Sequence, residues 1–363
     1  MRRVNGIIAF ILTFISFFGC HVVYAQQNDC EQTLRKAFEE FNAGHFYGIS
    51  IILKPCIENG FTREQKQRAY LLLTEAYLLT DDAASAEESY LQLLKANPEF
   101  VTDNARDPID VVYLSEKFTS EPIVSFFGKV GPNLSNVKVI HDISLFGENK
   151  LQKKYSIKPG WQISLGADLN FNKHISFSAS FQYMTTSYQR STFNIFDRDE
   201  EDFVDKQIWM NIPLSIKYNF LAGYLKPFVY VGFATKFLMG DKANIIFTDR
   251  LNAGEVKQQS STPNLNFGYK RNVLNGDVFI GAGLKRKIGL NYLFAEFRYA
   301  LGLTNIVSKK NLYANNVNSE KYLDSLDPVF RYGHVDDYIR LNNLSFSVGF
   351  IRPIYKPRKR KKI

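Results

Sequence analysis

Ile208-Trp209-Met210-Asn211-Ile212-Pro213-Leu214-Ser215-Ile216-Lys217-Tyr218-Asn219-Phe220 decides the fold. Ile208, Met210, Ile212, Leu214, Ile216, Tyr218 and Phe220 fall on one face, with Asn211, Ser215, Lys217 and Asn219 on the other. That period of two is a strand with one apolar side. Ala222-Gly223 turns the chain straight into a second such segment, 224–237. Working outward, segments 123–135, 160–170, 174–183, 277–285, 290–303 and 338–350 read the same way. In 174–183, Ile175, Phe177, Ala179, Phe181 and Tyr183 oppose Ser176, Ser178, Ser180 and Gln182. The eight segments are joined by connections that alternate long and short, the short ones at Phe171-Asn172-Lys173, Ala222-Gly223 and Ile288-Gly289. Short turns on one side and long loops on the other are the signature of an outer-membrane barrel, and segments of about 10 residues suffice to cross a bilayer when tilted. An apolar outer face is what lipid demands, and closure leaves no unpaired edge in hydrocarbon. Tyr183, Trp209, Tyr218, Tyr224, Tyr299 and Tyr338, near strand ends, suit interfacial aromatic girdles. The loops 139–157, 186–206, 238–275 and 304–337 are expected to face the cell exterior.

The 363 residues leave room for more than the barrel, and an aromatic content of 15% suits lipid-facing strands. Arg2 and Arg3, an apolar run, and Val23-Tyr24-Ala25 read as a signal peptide, 1–25, cut after Ala25. Phe17-Phe18-Gly19-Cys20 offers lipidation of Cys20 as an alternative, with Phe where a small residue is usual. Cys30 and Cys56 bracket one helical hairpin in an exported chain and are expected to pair as a disulfide.

Residues 26–104 lose the strand alternation. Tyr70, Leu73, Thr74, Tyr77, Ala86, Tyr90 and Pro98 fit the tetratricopeptide pattern, with Thr74 at the usual glycine. Thr62 and Gln65 form a candidate capping box, and Asp81-Asp82 the inter-helix turn. A more degenerate unit precedes it, and 105–120 reads as a linker helix started by Pro108. A small tetratricopeptide-like (TPR-like) periplasmic domain of this kind offers Tyr70, Leu73, Tyr77 and Tyr90 as a groove for a periplasmic protein partner.

The segment from Gln26 to Asn104 is acidic, with 7 Lys/Arg against 13 Asp/Glu. The tail 356–363 carries six positive charges. An even strand count puts both termini in the periplasm, so anionic lipid, peptidoglycan or the acidic domain is the tail's expected contact and nucleic acid is not. No His pair is spaced for a metal, and neither a Gly-x-Ser-x-Gly nor a phosphate loop is present. Asp197, Asp199 and Glu201 lack the glycine and distal Glu of a calcium loop. The expectation is therefore a non-enzyme with no cofactor. Inside the barrel (121–355) fall Lys129, Asp168, Lys217, Lys285, Glu296 and Arg298. Eight strands are just filled by their own side chains, which favours an inward ion-pair network over a pore.

The stretches Phe126–Ser135 with its Gly131-Pro132-Asn133, 211–218 (Asn211-Ile212-Pro213 onward) and 226–232 (Lys226-Pro227-Phe228 onward) resemble the PorT-type outer-membrane β-barrel family. The resemblance implies an origin in Bacteroidota, where some members are tied to protein secretion and gliding. The helical front and basic tail depart from a simple barrel. The composite expectation is an eight-stranded antiparallel transmembrane β-barrel preceded by an α-helical TPR-like domain. It would sit in the outer-membrane lipid and anchor or assemble a periplasmic protein partner. The alternative is a small-solute channel.

Overall fold

The computed structural model describes residues 27–144, 151–195, 199–220, 225–250, 256–312 and 334–360. The signal peptide, Cys20, Tyr224, Ala222-Gly223 and Asp197 lie outside them. The chain forms two units. One comprises the residues up to Glu121 together with those from Tyr355, and the other runs from Pro122 to Ile354.

In the first unit, α1 (Gln27–Asn42), α2 (Ile49–Glu58), α3 (Arg63–Leu79), α4 (Ala83–Ala96) and α5 (Ile109–Glu116) follow one another. Thr62 starts α3 with a full capping box: its hydroxyl accepts from Gln65 N at 3.3 Å while Gln65 Oε1 accepts from Thr62 N at 2.9 Å. Asp81 takes φ +57°, a left-handed turn that Asp tolerates, and the Asp82 carboxylate caps α4 by accepting from Ser85 N at 3.1 Å. Helix α3 is apolar on two sides because it serves two cores. Ala69, Leu72, Leu73 and Ala76 join Leu34, Ala37, Ile49, Leu53 and Phe61. Tyr70, Leu71, Tyr77 and Leu78 pack against Ala86, Tyr90, Leu93, Leu94, Val111, Leu114 and Phe118. Cys30 and Cys56 are disulfide-bonded with Cα atoms 5.7 Å apart. Gly60, at φ +147°, passes so close to Cys30 that a Cβ there would lie 2.6 Å from its Sγ.

Two sequence expectations are corrected here, and the tail finds one of its expected contacts, the acidic domain. The segment 105–120 is not a linker, because Val111, Leu114 and Phe118 complete the second core. The tail belongs to the same unit: β1 (Phe118–Thr119) pairs with β11 (Arg358–Lys359). Lys359 Nζ lies 2.6 Å from Glu87, with Lys117 at 3.2 Å on the same carboxylate. The two lysines, Lys359 foremost, hold the Glu87 carboxyl below its ordinary value. Finally, Tyr70, Leu73, Tyr77 and Tyr90 do not line an open groove. Leu73 and Tyr90 are core side chains and Tyr70 and Tyr77 are half-buried, because a short array spends its large residues on its own interior.

The second unit is a closed ring of β2 (Val124–His141), β3 (Gln152–Asn170), β4 (Ile175–Ile195), β5 (Asp199–Asn219), β6 (Leu225–Arg250), β8 (Leu274–Ile288), β9 (Asn291–Gly302) and β10 (Tyr338–Ile354). Its order is β5-β4-β3-β2-β10-β9-β8-β6, with β6 returning to β5. All of these neighbours are antiparallel. β7 (Val256–Asn266) folds back on the far end of β6, beyond the residues that β8 uses. The turns at one rim are tight. Asn172 Oδ1 accepts from His174 N at 2.8 Å and Ile175 N at 2.7 Å, and Gly289 takes φ +60° between β8 and β9.

The strands exceed expectation at the other rim. β6 alone has 26 residues, roughly 85 Å at about 3.3 Å each. Much of the expected loops 186–206 and 238–275 is therefore strand. These stretches hid as loops because, beyond the bilayer, the outward face no longer needs apolar residues. On β5 the change is sharp: Glu200, Asp202 and Lys206 face outward above Ile208, Met210, Ile212, Leu214, Ile216 and Tyr218. Trp209 is not a girdle residue. It shares the parity of Asn211 and points inward, 1% exposed, while Tyr218 and Tyr299 are exposed as expected.

Candidate functional site

The inward face of the barrel holds the polar chemistry of this unit, in two tiers. The lower tier, level with the apolar band, brings together the six charges expected from the sequence. Lys129 Nζ lies 2.6 Å from Glu296, and Lys217 Nζ 2.9 Å from Asp168. Lys285 donates to Asn219 Oδ1 at 2.7 Å. Arg298 donates to Gln182 Oε1 at 3.2 Å and rests 4.0 Å above the Phe279 ring. Gln182 in turn donates to Gln162 Oε1, and Gln162 to Ser347 Oγ, at 2.8 and 2.9 Å. Phe127, Phe228, Tyr230, Phe279 and Phe294 fill the space between them. A further pair, Lys236–Asp277 at 2.8 Å, was missed by the sequence reading. Its signal was present, since both residues lie in recognised segments and Lys236 shares the inward parity of Tyr230.

The upper tier, beyond the apolar band, had no periodic signal, because non-strand segments join strand extensions whose outward face is no longer apolar. Residues 267–272, 304–312 and 334–337 fold into the lumen. Ile306 N donates to Ile339 O, Asn272 N to Ile306 O, and Ser308 N to Lys270 O, at 2.9, 2.8 and 2.8 Å. Tyr188, Phe203, Ala243, Ile245, Phe267, Ile306, Val307, Leu312 and Val335 make an apolar core there. At its centre the Arg271 guanidinium donates to three carboxylates: Nε to Asp241 at 2.7 Å, Nη1 to Asp336 at 2.9 Å and Nη2 to Asp205 at 2.8 Å. Arg271 has no exposed side-chain surface. Beside it, Arg190 Nη2 meets Glu201 at 3.1 Å, and His334 Nδ1 lies 2.6 Å from the same carboxylate. Asp337 receives Lys153 Nζ at 2.6 Å, Tyr155 Oη at 2.5 Å and Ile143 N at 2.9 Å.

Burial opposes ionisation throughout this tier, and the partners decide who keeps a charge. At Asp336 burial is outweighed by Arg271 and then His334, and its carboxyl sits far below the ordinary range. At Glu201, too, His334 and Arg190 outweigh burial and lower it. At Asp241 burial wins, reinforced by the Asp205 carboxyl beside it, and the group is raised well above its ordinary value. Among the described residues no group of three His, Cys, Asp or Glu is placed to hold a metal ion. Glu201, once a candidate calcium ligand, is committed to Arg190 and His334. The lumen's side chains therefore pack against and brace one another, and its buried charges are met by opposite charges or hydrogen-bond partners.

A closed antiparallel ring with an apolar belt outside and charges inside is the architecture of an outer-membrane β-barrel protein. Residues 124–308, just over half of the chain, match the outer membrane protein beta-barrel domain, and the chain belongs to that family. Outer-membrane localisation follows. No curated protein matches the chain in sequence. Among solved structures, it is similar to Neisserial surface protein A at 12% identity, covering 63% of this chain and 97% of that one with a TM-score of 0.29. OprG from Pseudomonas aeruginosa gives 10%, 66%, 99% and 0.33, and the outer membrane protease OmpT from Escherichia coli 9%, 65%, 98% and 0.29.

Proposed function

We propose that the protein is a non-conducting, non-enzymatic outer-membrane anchor that presents its helical unit to a periplasmic protein. The observation that carries the reading is the filled lumen. Lys129–Glu296, Lys217–Asp168 and Lys236–Asp277 occupy the membrane level, and the Arg271 cluster stands above them. That favours the anchor over the small-solute channel. The chain enters the barrel at Val124 and leaves it at Ile354, register partners at the short-turn rim. With short turns on the periplasmic side, the helical unit and the tail are periplasmic and β7 is outside. The TPR-like pattern and the resemblance to PorT-type proteins of Bacteroidota fit such a role in secretion or gliding.

Its partner surface is placed on apolar side chains left in solvent rather than on Tyr70, Leu73, Tyr77 and Tyr90, which pack within the unit. Tyr47 and Ile51, 85% and 75% exposed, stand one helical turn apart, and Ile109 and Tyr113 do the same on α5. We expect Tyr47→Ser/Ile51→Ser with Ile109→Ser/Tyr113→Ser to abolish recovery of a periplasmic protein with the full chain from crosslinked cells. Anchors of this kind contribute about 2 kcal/mol or more each. The barrel's heat-dependent gel mobility should be unchanged. Retention of every co-purifying protein by the quadruple variant would refute the anchor role.

A further inference from the structure

We infer that the outer rim carries two cation clamps for the phosphate groups of an anionic glycolipid in the outer leaflet. This rests on the orientation proposed above. On β5, Lys206 is the first charged outward residue above Ile208, and its register partner on β6 is Lys242. Both are exposed. Ser187 on β4 pairs with Lys206 on one side and with Lys158 of β3 on the other. Lys158, Lys206 and Lys242 therefore stand in one row across four strands. Adjacent strands are about 4.8 Å apart, and like charges directly opposite one another destabilise a sheet. The arrangement recurs at the seam of β2 and β10, where Lys138 pairs with Arg340 above Leu134 and Leu344. Arg340 Nε is buried with no hydrogen-bond partner. In ring order the two seams are opposite each other.

Among the described residues, none of these five cations has an ion-pair partner. The outward carboxylate nearest Lys206 along β5, Asp202, already accepts from Gln189 and Ser191. Unpaired cations set abreast at this height need an anion held at the same height. A lipid phosphate supplies it where a free anion would not, because the surface just below is built for acyl chains. Ile208, Met210, Leu134 and Leu344 continue the apolar belt, and the Trp161 and Tyr183 rings meet at 5.3 Å at its edge.

The test is native mass spectrometry of the full chain in neutral detergent. It is titrated with diphosphorylated lipid A, with the same lipid lacking its phosphates, and with inorganic phosphate. The variants are K138Q/K206Q/K242Q/R340Q and, as a control, R352Q, whose outward arginine is exposed near the opposite rim. We expect saturable binding of the phosphorylated lipid, weakened about 30-fold at each clamp in the quadruple variant and unchanged in R352Q. Without lipid, the quadruple variant should melt at the same temperature or higher, because repulsion has been removed. Equal binding by the quadruple variant, or equal binding of the dephosphorylated lipid, overturns the inference. Orientation is read separately, by labelling Ser261→Cys on β7 in whole cells with an impermeant maleimide. An unlabelled thiol overturns the orientation, and with it the outer-leaflet assignment, whatever the binding in detergent.

Discussion

Replacing Arg271 with Met is expected to destabilise the upper tier of the barrel by about 4 kcal/mol at neutral pH, the usual cost of breaking a buried ion pair. The side chain it removes donates to Asp205, Asp241 and Asp336, with no exposed surface of its own. Methionine fills most of the volume but satisfies none of the six oxygens. Arg271→Lys should fall between, since an ammonium keeps the charge without the planar fork that reaches three partners. The pH dependence has a definite sign. In the native protein Asp336 is held far below its unfolded value, so its contribution is present above about pH 4 and lost as pH falls through the depressed folded value. Without Arg271 the buried carboxyls are raised instead, and protonation relieves them. The gap between native and variant proteins is therefore largest near pH 7 and narrows towards pH 4. Urea unfolding in detergent, followed by fluorescence of Trp209 in the lumen, measures it. A gap independent of pH would show that lost packing, not charge, is the cause.

A second large effect belongs to the lower tier. Lys129→Met should cost about 3–5 kcal/mol by leaving Glu296 without its cation, and Glu296→Met about as much by stranding Lys129. The double variant is expected to be less destabilised than either single one. Two well-packed methionines replace a pair whose attraction only just offsets its desolvation. The double-mutant cycle is the measurement, with a coupling energy of about 2 kcal/mol or more in favour of the pair. Strict additivity would mean that water reaches these side chains and that the lumen is open.

The barrel was legible because lipid imposes a rule that every crossing strand obeys. Phe181, Ile216 and Phe297 must point out, so Gln182, Lys217 and Arg298 must point in, and parity places them without any structure. The same parity, applied strictly, would have moved Trp209 from the girdle to the lumen and found Lys236. Outside the bilayer the rule lapses. β4 and β5 continue as strands through Ser191 and Asp202, but neither face is uniformly apolar, so they read as loops. Arg271, His334 and Asp336 come from irregular segments that meet only after the barrel closes, and spacing along the chain says nothing of that. In the helical unit the pattern of large residues marked a core correctly and a groove wrongly. Leu73 and Tyr90 are apolar for packing, while Tyr47, Ile51, Ile109 and Tyr113 stay exposed, and no periodicity singles them out.

The filled lumen is the claim on which the rest stands, and single-channel recording tests it most directly. Purified full chain is inserted into a planar bilayer in 1 M KCl, with insertion checked by protease protection; the current should stay at baseline at about ±100 mV, as a lumen packed with its own side chains requires. Stepwise currents that scale with salt concentration and recur with each inserted molecule would contradict it.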